Sequence, residues 1–148
     1  MTTIGPLALA VQQGAFYDYF DEVRKVISSA SIELFFVDPY VNSEFVSRYL
    51  TQILKGVRVR LLGRREMSTL LPAVALLSQQ TGLIIEVRSS SSLHDRYVFV
   101  DKKSGFQSGA SFKDGAKNAP TTFAEVTDAL PAVLATYEDL WSSATPQQ

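Results

Sequence analysis

The sequence predicts a single α/β domain, in which a mixed β-sheet is flanked by helices on both faces. From residue 16 to residue 87, helical and strand-like segments alternate, which is the pattern of parallel strands joined by right-handed helical crossovers. Three strand-like segments then follow one another without a helix between them, as in antiparallel hairpins. The chain has 148 residues and no linker that would divide it, so one hydrophobic core is expected.

The first half of the chain alternates between the two patterns. A helix begins at Phe16, and its apolar stripe recurs at intervals of three and four residues: Phe16, Phe20, Val23 and Ile27. A strand over 32–37 ends before Pro39, which cannot continue a hydrogen-bonded ladder. Asn42 or Ser43 can cap a second helix that Gly56 ends. Its expected buried side chains are Phe45, Val46, Tyr49, Leu50, Ile53 and Leu54.

The second half completes the sheet and adds two helices. A strand over 57–63 is followed by a helix over 67–79. Further strands are predicted at 83–87, 97–101, 106–108 and 121–126, and a last helix follows Asp128 and ends near residue 141. We interpret residues 1–15 as an N-terminal extension, 16–143 as the folded domain and 144–148 as a frayed tail.

Composition excludes several classes of site. Fourteen Lys and Arg residues against fifteen Asp and Glu give a formal net charge of -1, unlike a strongly basic nucleic-acid binder. The absence of cysteine excludes disulfides, thiolate metal sites and cysteine nucleophiles, and a single histidine excludes a multi-histidine zinc site. No metal and no cofactor are therefore expected. With no apolar stretch of about 18 residues and no basic leader, the expected location is cytoplasmic.

The residue pattern around the only histidine is the strongest functional signal. His94 lies directly before the predicted strand 97–101, and Arg96 follows it by two residues. Asp101 closes that strand. After seven intervening residues comes the segment Gly109-Ala110-Ser111, and Lys113 follows it.

This arrangement resembles the signature of the phospholipase D superfamily. That signature is His-x-Lys, four residues, Asp, about six residues, and then Gly-Ser-x-Asn or Gly-Gly-x-Asn. His94, Asp101 and Gly109 match it, with one additional residue before the glycine. Arg96 stands at the lysine position and Phe112 at the asparagine position. The resemblance extends over residues 16–143.

The resemblance implies hydrolysis of a phosphodiester through a covalent phosphohistidine, with a second histidine as the acid that protonates the leaving oxygen. Because this chain has one histidine, a homodimer that contributes one His94 from each subunit is expected. Arg96 would then hold the phosphate, Asp101 would orient the imidazole, and Gly109, Ser111 and Lys113 would line the site.

Two more residues are candidates for substrate binding, because of their place on the predicted sheet. Asp38 and Tyr40 follow the first predicted strand at its carboxyl end, and ligands of open α/β sheets bind at that edge. A separate basic cluster has no acidic residue among its members, which are Lys55, Arg58, Arg60, Arg64 and Arg65. This cluster is either a solvated edge or a patch for nucleic acid or anionic lipid.

The sequence leaves two functions open. The first is a metal-independent nuclease or other phosphodiesterase, cleaving nucleic acid or a phospholipid headgroup. The second is a catalytically inactive module of the same fold that binds anionic lipid, nucleic acid or a protein partner. The missing lysine and asparagine favour the second, and His94-Asp95-Arg96 also resembles the membrane-binding C-terminal domains of some MIT-domain proteins.

Overall fold

A computed structural model of the chain describes residues 7–147, which fold into an eight-stranded sheet with four α-helices. In chain order the elements are β1 (Ala8–Val11), α1 (Phe16–Ser28), β2 (Glu33–Val37), α2 (Ser43–Tyr49), a 3₁₀ turn (Leu50–Gln52), β3 (Arg58–Gly63), α3 (Met67–Thr81), β4 (Ile85–Ser89), β5 (Tyr97–Val100), β6 (Ser104–Ser108), β7 (Thr121–Val126), α4 (Leu130–Ser143) and β8 (Thr145–Gln147). Within this described part, no helix is both long and apolar enough to span a bilayer.

The sheet is mixed, as the alternation of sequence patterns predicts. Its strand order is β1-β7-β6-β5-β2-β3-β4-β8. The strands β2, β3 and β4 are parallel and are joined by α2 and α3, whereas β5, β6 and β7 form an antiparallel meander that pairs with β2. The sheet therefore has a parallel part, β2-β3-β4, with antiparallel pairs on both sides of it, which begin at β2–β5 and at β4–β8.

Alternating side chains of β2 serve two cores on opposite faces of the sheet. Leu34 and Phe36 point to the face that also carries the buried side chains of α1, α2 and α3. Phe35 and Val37 point to the other face, where Tyr137 and Trp141 of α4 cover them. This arrangement confirms the prediction of helices on both faces, and it explains why β2 is apolar on both sides.

The sheet extends beyond the predicted strands at both edges. β1 lies within the segment 1–15, to which no strand was assigned, and it pairs with β7. β8 pairs with β4, so the expectation of a frayed tail was wrong for residues 145–147. The tail is attached by the Gln147 side-chain amide, which donates to the Ser89 hydroxyl at 2.9 Å. The division of the chain at residues 15 and 143 stays a prediction.

The apolar stripes of α1 and α2 differ from the predicted ones. In α1 the buried side chains are Tyr19, Val23, Val26 and Ile27, and Phe16 is 56% exposed. The α2 helix ends at Tyr49 in a 3₁₀ turn, whose three residues per turn break the predicted periodicity and leave Leu54 74% exposed. The β4 strand also begins two residues later than predicted, at Ile85.

Candidate functional site

The strand directions bring most of the predicted site residues to one side of the sheet, the side that runs across the ends of the strands. The carboxyl ends of β2, β3 and β6 and the amino end of β5 share this edge, because β5 is antiparallel to both β2 and β6. The register pairs Val37 with Tyr97, so Asp38 and Arg96 are the next residues out on neighbouring strands. We call this the site edge.

Asp38 is fully buried, and its carboxylate accepts three hydrogen bonds at the site edge. Its Oδ2 accepts hydrogen bonds from the Ser111 hydroxyl and the Phe112 backbone N–H, both at 2.8 Å. Its Oδ1 accepts from the Tyr40 N–H at 2.9 Å. Burial raises the pKa of Asp38, against the opposing effect of these hydrogen bonds and of the Arg96 charge. Asp38 and Ser111, predicted as separate binding residues, are therefore hydrogen-bonded to each other in the interior.

Tyr40 and Gly109 lie nearer to solvent at the same edge. The Tyr40 side chain is 39% exposed, so its ring can contact a ligand. Gly109 is exposed, and its backbone N–H is used in a 2.8 Å hydrogen bond to the Thr122 carbonyl. Of this pair, only Tyr40 offers a side chain to a substrate.

His94 is exposed, and Arg64 lies beside it. The Nδ1 atom of His94 is 3.4 Å from an Nη1 atom of Arg64, which follows the carboxyl end of β3. A guanidinium is only a donor, so a hydrogen bond at this contact requires a neutral ring in which Nδ1 accepts and the proton is on Nε2. The sequence interpretation placed Arg64 in a basic cluster and missed this contact, because 30 residues separate the two and only the strand order β3-β2-β5 joins them.

Arg96 binds the backbone on both sides of the site. Its Nη2 donates to the Gly109 carbonyl at 2.7 Å, and its Nη1 donates to the His94 carbonyl at 3.4 Å. Its Nε is buried and has no hydrogen-bond partner among the residues described. Arg96 thus holds together the two loops that form the site edge.

Asp101 lies at the opposite edge of the sheet. Six residues separate it from His94, and the four of them that form β5 alone span about 13 Å along the strand. Its carboxylate accepts from the backbone N–H groups of Ile32, Glu33 and Ser31 at 2.8, 2.9 and 3.1 Å. Partial burial acts to raise the pKa of Asp101, but these hydrogen bonds outweigh it and lower the pKa. The expectation that Asp101 orients the imidazole is therefore corrected, since its carboxylate fixes the start of β2.

Lys113 and Phe112 take structural positions behind the site edge. The Lys113 ammonium pairs with the Asp114 carboxylate at 2.9 Å, and the Lys113 carbonyl accepts from Arg48 at 2.7 Å. Phe112, at the asparagine position of the signature, is fully buried and packs edge-on against Phe36. The loop after β6 therefore lacks a side-chain amide at this position.

One buried pair behind the site had no signal in the sequence. The hydroxyl oxygens of Tyr19 and Ser108 are 2.6 Å apart, and burial raises the pKa of Tyr19 well above its ordinary value. Gly115 lies against this tyrosine, because a Cβ atom there would come within 2.1 Å of the ring. Among residues 7–147, no three acidic or histidine side chains converge as a metal site.

Solved structures share this architecture over nearly the whole chain. Nuc from Salmonella typhimurium, a phospholipase D family member, is 14% identical with a TM-score of 0.68, and the match covers 97% of this chain and 99% of that one. NucT from Helicobacter pylori is 10% identical with a TM-score of 0.65, and the match covers 97% and 100%. This chain has the phospholipase D fold.

Part of a larger protein also has a similar architecture. TrmBL2, an archaeal chromatin protein described as having a novel mode of DNA binding, is 11% identical with a TM-score of 0.61. The match covers 95% of this chain and 53% of TrmBL2. No protein-family model and no curated protein sequence matches the chain.

Proposed function

We propose that this protein is a metal-independent phosphodiesterase that cleaves nucleic acid as a homodimer. The observation that carries the proposal is the exposed imidazole of His94 at the site edge, with the Arg64 guanidinium at its Nδ1 and the Arg96 guanidinium at the His94 backbone carbonyl. An imidazole can attack phosphorus, and the two guanidinium groups can neutralise the charge that builds up on the phosphate oxygens. The likeness to the two Nuc proteins at the level of the fold supports this chemistry.

The reaction needs two imidazoles in different protonation states. An unprotonated nitrogen of one His94 attacks phosphorus while the bond to the leaving oxygen breaks, and the partner subunit's His94 gives that oxygen its proton. Water then attacks the phosphohistidine, and the second imidazole takes the water proton, so a phosphate monoester leaves and both rings return to their starting states. The chain supplies one histidine, which is why the proposal includes a dimer.

The geometry restricts where such a dimer can form. If two copies paired through β1, seven strand spacings would separate the two His94 residues, or about 34 Å. Pairing through β8 would separate them by nine spacings, or about 43 Å. Two imidazoles on one phosphate must be only a few ångströms from it. The proposed interface is therefore the site edge itself, with a two-fold axis beside His94.

A non-catalytic phosphodiester-binding module is the second candidate. Two observations favour it: Arg64 approaches Nδ1 of His94, and the buried Phe112 replaces the asparagine of the signature. With the proton on Nε2, His94 becomes a third donor beside two guanidinium groups. Such a set of donors holds a phosphate without attacking it.

Hydrolysis of bis(p-nitrophenyl) phosphate and of single-stranded DNA, in EDTA, tests the proposal. Wild type and His94→Ala are compared after equal melting temperatures have shown that both are folded. The mass in solution is measured by light scattering on the same samples. We expect a dimer, and a loss of activity of at least about a hundredfold in the variant. Equal activity in His94→Ala would remove the phosphodiesterase assignment. A folded, inactive monomer that binds DNA would establish the second candidate instead.

A further inference from the structure

A cavity opens at the site edge beside His94. Its volume is about 410 Å³, and it lies at the carboxyl ends of β3 and β4 next to the start of β8. We call it the Arg-Ser cavity, after its lining residues, which are Arg64, Arg65, Ser89, Ser90, Ser91 and Thr145. Its outer wall is held in place by β8, whose Gln147 amide donates to the Ser89 hydroxyl.

The Arg-Ser cavity combines two fixed cations with hydroxyl groups. The backbone N–H groups of Arg64 and Arg65 both donate to the Pro39 carbonyl, at 3.3 and 2.9 Å, which fixes the loop that carries them. Within residues 7–147, neither guanidinium forms an ion pair with a carboxylate. Guanidinium and hydroxyl groups are the usual donors to phosphate oxygens in nucleic-acid complexes. The lining of the cavity therefore fits an anion of the phosphate type.

Arg64 joins the cavity to the His94 site, because it lines the cavity and its Nη1 lies 3.4 Å from Nδ1 of His94. The far wall of the cavity, at the end of β4, is three strand spacings from β5, or about 14 Å, so the cavity and the His94 site together extend over more than one phosphate. A nucleic-acid strand carries a phosphate at each nucleotide, at least about 3.4 Å apart, so a segment of a few nucleotides reaches from one place to the other.

We propose that the Arg-Ser cavity binds a flanking phosphate of single-stranded nucleic acid whose scissile phosphate lies at His94. The inference rests on the proposed function for the position of the scissile phosphate. The binding step itself requires no cleavage, so it can be measured separately. Arg65 is the residue that distinguishes this cavity from the His94 site, because it lines the cavity without a hydrogen bond to His94 or Arg96.

The test compares Arg65→Gln with Arg58→Gln in the full chain. Arg58 is the exposed first residue of β3, the strand that Arg64 and Arg65 follow, so it lies at the end of the strand away from the cavity, where it pairs with Glu86 at 3.4 Å. Both variants remove one positive charge from an exposed side chain. The probe is a fluorescein-labelled oligothymidylate of about twelve nucleotides. Its binding is followed by anisotropy over a series of salt concentrations, with melting temperature as the control for folding.

We expect Arg65→Gln to weaken binding of the oligonucleotide by about threefold to tenfold, and to reduce the slope of log affinity against log salt by about one. Arg58→Gln should bind as wild type does. Hydrolysis of bis(p-nitrophenyl) phosphate, which carries no flanking phosphate for the cavity, should be the same in Arg65→Gln and wild type. If wild type hydrolyses nothing but the loss of binding is still confined to Arg65→Gln, the cavity assignment stands and the proposed catalysis fails.

Three results would overturn the inference. Equal loss of oligonucleotide binding in the two variants would show only the effect of bulk charge. No binding by wild type at low salt would exclude a nucleic-acid site. Loss of binding to phosphatidylserine vesicles in Arg65→Gln, with oligonucleotide binding unchanged, would assign the cavity to a lipid headgroup.

Discussion

The Asp38 carboxylate and the Ser111 hydroxyl form a buried hydrogen bond of 2.8 Å. The bond joins the carboxyl end of β2 to the loop after β6, across 73 positions of sequence. The same carboxylate oxygen accepts the Phe112 N–H, so one side chain satisfies two buried donors. The position of the loop that carries Gly109 relative to His94 therefore depends on Asp38.

Replacing Asp38 should destabilise the fold. In Asp38→Ala, the Ser111 hydroxyl and the Phe112 N–H lose their acceptor in the interior, and we expect a loss of about 3 kcal/mol in the free energy of unfolding. Ser111→Ala removes one donor together with its bond, so a loss of about 1 kcal/mol is expected. Urea denaturation followed by circular dichroism measures both values. Equal stability of Asp38→Ala and wild type would contradict this role.

The sequence predicted the site residues that lie next to a strand in the chain. It did not predict the contacts that depend on the order of the strands in the sheet. Asp38 and His94 each flank an apolar strand, so the sequence could place them at sheet edges. The contact of Arg64 with His94 depends on β2 lying between β3 and β5, which no local pattern encodes. The motif correctly placed Asp101 directly after β5, but the role it implied for Asp101 was wrong. The spacing of a motif does not tell which donors the carboxylate will bind.

Asp101 should stabilise the fold without supporting hydrolysis. Its carboxylate accepts from three consecutive backbone N–H groups, of Ser31, Ile32 and Glu33, so we expect Asp101→Ala to lose about 2 kcal/mol at neutral pH. Asp101→Asn should lose less, because asparagine keeps an acceptor and tolerates the φ of 54° at this position. Both variants should keep any activity of the wild type per folded molecule. A hundredfold loss in a folded Asp101→Asn would show that Asp101 acts on His94 after all.

The effect of Asp101 should also depend on pH in a defined direction. Its pKa is lower in the folded chain than the ordinary value of about 3.9, so the unfolded chain takes up its proton first as the pH falls. The stability that Asp101 contributes is then complete above about pH 4 and is lost as the pH falls through the folded pKa. The difference between wild type and Asp101→Ala in urea denaturation should accordingly be full at pH 7 and shrink below pH 4. A difference that grows on acidification would contradict the hydrogen-bonding role.

The central strands and helices were predictable, whereas the two edge strands were not. The apolar run of β2 is a direct consequence of burial on both faces. The alternation in β3 locates the strand, although Arg60 is buried as well, where it pairs with Glu33 and Glu138. The edge strands β1 and β8 have four and three residues and follow no clear period. Their pairing comes from the free edges of β7 and β4, which exist only once the sheet has formed.

Gly115 should tolerate no side chain. A Cβ atom there would lie 2.1 Å from the Tyr19 ring, which is buried and is held by the 2.6 Å bond of its hydroxyl to Ser108. We expect Gly115→Ala to lose about 2 to 3 kcal/mol of stability. Gly109→Ala is the matched control, because its Cβ would meet the Thr122 hydroxyl at 3.1 Å and a smaller loss is expected. Similar melting temperatures for the two variants would show that the Tyr19 ring can move away.

The tautomer of His94 decides between the two candidate functions, and one histidine makes it directly measurable. Because Arg64 donates toward Nδ1, the neutral ring should carry its proton on Nε2, and ¹⁵N chemical shifts at alkaline pH should show this form in wild type. Arg64→Gln should shift the population toward the Nδ1–H form, in which the lone pair that can attack phosphorus is on Nε2, the nitrogen that Arg64 does not contact. A wild type with the proton mainly on Nδ1 would contradict the Arg64 contact and would favour His94 as the nucleophile. If the Nε2–H form persists when a phosphodiester binds, His94 acts as a donor to the phosphate, and the binding module is the better description.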